Sequence, residues 1–202
     1  YGFCDQDDIW EKNKIEIALK SCEMNKNKKP KLYFSRTAYY NLDCSKEIGA
    51  SRIHRKSPIF KNALVQNIAG GNTILINKKA RDILCASLIS EVYTAHDWWT
   101  YQIITGAEGE IIYSNKKTLK YRQHNENIVG FNSSFKEKFK RLIYFFSGEY
   151  KKWCTTNIKN LYLNKHLISS KNLETLNYFS RAIKSRNILK KLKYFKKSGV
   201  YR

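Results

Sequence analysis

Nothing in this sequence approaches the length of a membrane span: apolar runs such as Leu142-Ile143-Tyr144-Phe145-Phe146 reach about a quarter of the roughly 20 residues a spanning helix needs. Paired cysteines are missing too. Cys4, Cys22, Cys44, Cys85 and Cys154 are odd in number and widely spread, with no Cys-x-x-Cys and no His at zinc-site spacing, which leaves reduced thiols as the reading and excludes a disulfide framework. No initiator Met, basic leader or apolar signal stretch opens the chain, so any export signal is expected upstream of Tyr1. No internal repeat and no low-complexity linker breaks the sequence. Acids are scarce, 17 Asp and Glu against 38 Lys and Arg.

What remains is enough to fold. A hydrophobic share of 42% over 202 residues is far from the signature of a disordered chain and favours one buried core, with or without a helical appendage. The net charge of +21 invites a nucleic-acid reading, because Lys and Arg on phosphates supply most non-specific affinity. Its distribution argues otherwise: residues 132–202 hold 18 Lys or Arg against Glu137, Glu149 and Glu174. The charge belongs mainly to the tail, and the abundance of Lys, Asn, Ile and Tyr matches the bias of an AT-rich genome. No specific nucleic-acid partner is expected.

Periodicity divides the chain in two. Phe3-Cys4 reads as a strand end, Asp5 to Asp8 as an acidic turn, and Ile9, Trp10, Ile15, Leu19 and Cys22 as the apolar face of a helix. Leu32 to Ser35 reads as a short buried strand, and Asn41 to Pro58 as loop. Gly70-Gly71-Asn72-Thr73 is a glycine turn feeding the strand Ile74 to Ile76. Helices are predicted from Lys78 to about Leu88 and from about Ala95 to Thr105, the second C-capped by Gly106. Ile111 to Tyr113 and Leu119 to Arg122 read as two further strands. The alternation predicts an α/β or α+β sheet domain over 1–131. Over 132–202, Phe139, Leu142, Ile143, Phe146, Tyr150 and Trp153, then Leu173, Leu176, Phe179, Ile183, Ile188, Leu192 and Phe195, recur at three- and four-residue steps, predicting a basic extension of amphipathic helices.

Three places carry candidate chemistry. Asp5, Asp7 and Asp8 repel one another unless a cation or a helix N-terminus compensates them; a divalent metal with oxygen ligands is one reading, helix capping by Asp7 or Asp8 the other. His96-Asp97-Trp98-Trp99 opens a helix. There Asp97 is either a general base lifted toward neutral pH by aromatic neighbours or a cap, and the indoles either stack on a sugar or fill the core. His124, after Tyr121-Arg122-Gln123, is either a metal ligand or a hydrogen-bonded structural residue.

Together these pieces, Cys4-Asp5-Gln6-Asp7-Asp8-Ile9-Trp10 with Lys14-Ile15, Gly70 to Thr73, His96 to Trp99, and Tyr121 to His124 with Asn127 and Val129-Gly130, resemble the rhamnosyltransferase-like branch of family 2 glycosyltransferases. They stand in that family's order. The resemblance covers Tyr1 to about Gly130 and implies a GT-A fold, here partial, followed by the helical extension. It further implies a metal-dependent, inverting transfer of sugar from a nucleotide-sugar donor to a glycan or lipid-linked acceptor in surface polysaccharide synthesis. Mn or Mg would sit on Asp5, Asp7 and His124, with Asp8 and Arg122 supporting the donor diphosphate. Asp97 would be the base, and Gly70, Gly71, Asn72, His96, Trp98 and Trp99 would line the acceptor side. The expected location is the cytoplasm, peripherally at the inner face of the cell membrane; the basic helices either meet an anionic membrane surface or pack their apolar faces on the catalytic domain and leave their lysines in water.

One departure matters. The family places a strand-helix-strand nucleotide-binding section before the acidic turn, and this sequence has three residues before Cys4. A basic binding protein without catalysis and an inactive glycosyltransferase remnant therefore stay open as alternatives.

Overall fold

The computed structural model describes residues 1–23, 28–90, 95–123 and 148–200. Over these the fold is mixed α/β, built on one mixed sheet. Its spine is β2, Lys31–Tyr40, which runs parallel to β5, Glu110–Arg122, along its full length. Leu32, Tyr33 and Phe34 are fully buried in succession, as suits a strand covered on both faces. β1, Ile9–Trp10, pairs antiparallel with the far edge of β5. On the other edge of β2, β4 (Leu75–Ile76) pairs with its first half and β3 (Glu47–Ala50) with its second.

Several expectations shift. Ile9 and Trp10 belong to a strand, and the first helix, α1, begins later, at Lys14, and runs to Glu23. Its covered positions are Lys14 and Ala18, whereas Ile15 and Leu19 are exposed; the apolar spacing counted from Ile9 ran across a strand and so set the wrong phase. The short strand at Leu32 extends to ten residues, and part of the expected loop is β3. The two strands expected after Ile111 are one. Asn115 and Lys116 form an extra pair in β5 where the register against Ser35 and Arg36 slips, so a polar interruption in sequence is a bulge in space.

The helices frame this sheet. α2, Phe60–Ala63, and the 3-10 turn Gly71–Thr73 lead into β4. α3, Lys78–Ala86, is capped by Asn77, whose Oδ1 accepts from the Ala80 amide at 2.9 Å. α4, His96–Gly106, is buried from Trp98 to its end, and its polar side chains bond inward: Trp98 Nε1 and Gln102 Nε2 both donate to the Ala63 carbonyl. Gly106 is the last helical residue rather than a left-handed cap, that conformation falling to Glu108. A Cβ on Gly106 would lie 3.2 Å from the Phe60 ring, so glycine serves close packing there.

Of the tail, α5 (Glu149–Leu163), α6 (Ser170–Lys184) and α7 (Ile188–Ser198) are described; Phe139, Leu142, Ile143 and Phe146 lie outside the described residues. Ile158 and Leu161 of α5 and Leu176, Phe179 and Ile183 of α6 join Leu32, Phe34, Trp99 and Ile104 in one apolar core. No helix among the described residues is long and apolar enough to cross a membrane.

Leu161→Ala should therefore cost about 2–5 kcal/mol, as truncation of a fully buried Leu does, with helical and tryptophan signals lost in one transition on chemical unfolding. A cost no larger than that of Leu163→Ala, at an exposed position, would detach α5 from the core.

Candidate functional site

The acidic turn is held from three sides. Before it, Tyr1 and Gly2 lie extended along β4, the Ile76 amide donating to the Tyr1 carbonyl at 2.8 Å. After it, β1 is zipped to β5, and the Glu11 amide donates to Thr118 O. From β5 itself, Arg122 Nε donates to the Asp7 carbonyl at 3.2 Å and Nη1 to the Leu42 carbonyl at 2.8 Å. Asp5 is exposed, while Asp7 and Asp8 are half-buried.

Asp8 faces the glycine turn. Asn72 Nδ2 donates to Asp8 Oδ2 at 2.7 Å, and Asp8 Oδ1 is buried without a hydrogen-bond partner. Burial first, then the charges of Asp5 and Asp7, push the Asp8 carboxyl up to about 6 against the lowering effect of the Asn72 bond. The same asparagine is gripped from behind. Lys14, 1% exposed, donates from Nζ to the Asn72 carbonyl at 2.5 Å and sits 3.9 Å above the Trp10 ring. Burial lowers its ammonium to about 8, with the Asp8 charge the largest opposing influence, so it remains a cation at neutral pH.

On its other side the glycine turn meets α4. Asp97 Oδ2 accepts from the Gly71 amide at 3.1 Å, and Oδ1 from the Trp98 amide at 2.7 Å. Each oxygen retains a second lone pair. A Cβ on Gly71 would lie 2.7 Å from His96 Nε2 and 3.3 Å from the Asp97 Cβ; glycine lets the two elements close on each other. His96 is exposed, its ring edge-on to Phe3 at 4.7 Å between centroids. Gly70 is exposed at the lip of the turn and Asn72 is buried beneath it.

The structure thus brings Asp8, Gly71, Asn72, His96 and Asp97 into one neighbourhood, with Arg122 bracing the turn. Trp98 and Trp99 are elsewhere: at 6% and 3% exposed, with their indole nitrogens donating to Ala63 O and Ser87 Oγ, they are core residues with no face open to a sugar. His124 lies outside the described residues. Lys14 is the participant that sequence reasoning missed; it stood in the quoted motif, but no periodicity marks a lysine that folds inward. Two clefts of the surface, one between Phe60, Thr105, Ile111 and Lys171 and one on α5 around Thr155 and Lys159, lie away from this site.

Among the described residues no three His, Cys, Asp or Glu side chains converge closely enough to enclose a metal. The chemistry at the turn nevertheless fits a hard divalent cation: three carboxylates stand within four residues, and one buried carboxylate oxygen has no donor. Mg and Mn commonly take one or two carboxylates and complete their shell with waters and substrate phosphates.

No protein-family model and no solved structure matches the chain. A curated protein does: the dTDP-rhamnosyl transferase RfbG of Shigella flexneri is 33% identical over 147 residues, a stretch that covers 69% of this chain and 48% of that protein. The chain is therefore related to a glycosyltransferase and spans about half the length of the relative it matches.

Lys14→Met keeps the length of the buried side chain and removes its donor, leaving the Asn72 carbonyl buried and unpaired. It should cost about 1–3 kcal/mol and speed hydrogen exchange of the Thr73 and Ile74 amides. Unchanged exchange there would show that Lys14 does not hold the turn.

Proposed function

We propose that this chain is the metal- and acceptor-side part of an inverting, sugar-nucleotide-dependent glycosyltransferase that builds surface polysaccharide. The observation that carries the reading is the single turn Gly70–Thr73, which holds the donor-side carboxylate Asp8 through Asn72 and the helix-borne carboxylate Asp97 through the Gly71 amide. The relationship to a rhamnosyl transferase supports the same chemistry, and makes a dTDP-linked deoxyhexose the first donor to assay.

In this reading Asp97 accepts the proton of an acceptor hydroxyl. That oxygen then bonds to the anomeric carbon of the donor as the bond from carbon to the diphosphate breaks on the opposite face, which inverts the anomeric configuration. The Gly71 and Trp98 amides fix the carboxylate for this role, and a positioned base commonly contributes about 10²–10⁴-fold. His96 and Gly70 border the space an acceptor would enter. Asp5 and Asp7 would hold a divalent cation, with Asp8 and Arg122 supporting; once bound it would neutralise charge on the departing nucleoside diphosphate.

Asp97→Asn should lower turnover about 10²–10⁴-fold while leaving donor affinity nearly unchanged, assayed as sugar transfer from the dTDP-linked donor. Near-normal turnover would return Asp97 to helix capping. Independently of activity, Mn binding measured calorimetrically should be lost in Asp7→Asn; equal binding by that variant would remove the turn as the metal site.

A further inference from the structure

We propose that the first half of α7 is a docking surface for anionic lipid. Ile188, Leu192 and Phe195 fall on one face of this helix by their i, i+4, i+7 spacing, but only the end of the stripe is covered. Phe195 packs its ring 6.1 Å from Phe179, and Ser198 and Val200 are buried. Ile188, Leu189 and Leu192 stand 70%, 73% and 61% exposed. The helix is complete without a cover: Asn187 Oδ1 accepts from the Lys190 amide at its start, and Gly199, at φ 67°, closes its end. It is thus a preformed helix, anchored by its last turn, that holds three aliphatic side chains in water.

The charge around those side chains selects the occupant. Lys184, Arg186, Lys190, Lys193, Lys196 and Lys197 are exposed, and no acid follows Glu174 in the sequence. A second copy of so cationic a surface would be repelled. A nucleic acid would neutralise the lysines but leave the aliphatic tips wet, since single strands bind through stacking on aromatic rings. The interface of an anionic bilayer takes both parts at once, aliphatic tips among the acyl chains and ammonium groups among the phosphates. This surface is formed by α7 and the residues leading into it from Lys184, and it stands independently of the transfer chemistry.

Flotation of the whole chain with vesicles tests it. Vesicles of phosphatidylcholine mixed equally with phosphatidylglycerol should carry the protein at low salt, and phosphatidylcholine alone should not. The triple variant Ile188→Ser, Leu189→Ser, Leu192→Ser changes only exposed positions; checked for an unchanged melting curve, it should bind at least about tenfold more weakly. High salt should release the wild-type protein, as charges beyond a shortened Debye length no longer contribute. Undiminished flotation of the triple variant, or equal flotation on both vesicle types, would overturn the proposal. So would a dimer in light scattering that the triple substitution dissolves, or an RNA affinity that the substitution abolishes alongside a vesicle affinity it leaves intact.

Discussion

The arrangement around the acidic turn depends on one buried cation. Lys14 enters the interior at the first residue of α1, where burial disfavours its charge, and what it meets there is the Asn72 carbonyl and the Trp10 ring. Both partners tie it to other elements: Trp10 lies on β1, paired with β5, and Asn72 lies in the turn ahead of β4. One ammonium group therefore joins α1, the sheet edge and the glycine turn. Because the Asn72 side chain reaches Asp8 while the neighbouring Gly71 amide reaches Asp97, fixing the Asn72 backbone also fixes the separation of the two carboxylates.

The elements most legible in sequence were those whose signals are local. α3 and α4 begin within a residue or two of their expected starts, since caps and apolar spacing act within a turn. The failures were non-local. α1 was phased wrongly because its buried face is led by a lysine, whose burial depends on an asparagine 58 positions away. β3 went unseen because Glu47–Ala50 carries little strand character of its own and is held by pairing with β2. β5 read as two strands because a polar bulge and a loop look alike until a partner strand runs continuously beside them.

The candidate site divides along the same line. The acidic turn, the glycine turn and Asp97 each stood out in the sequence, and in the structure they meet, because each sits at an element terminus, where side chains are free to meet. The two tryptophans show the limit of that reasoning. An indole beside an acid reads equally well as a sugar platform or as core, and here the cost of leaving an indole N–H unpaired is met by Ala63 and Ser87 on the interior side.

Lysine accordingly does opposite work at the two ends of this chain. Lys14 is an interior strut, fixed by a carbonyl and a ring; the lysines of α7 are solvated and surround exposed aliphatic side chains. Net charge sums the two without distinguishing them, so +21 does not by itself locate a partner. Around the acidic turn the local balance runs the other way: burial first, then the charges of Asp5 and Asp7, push the Asp8 carboxyl up to about 6, while burial and the Asp8 charge pull the Lys14 ammonium in opposite directions.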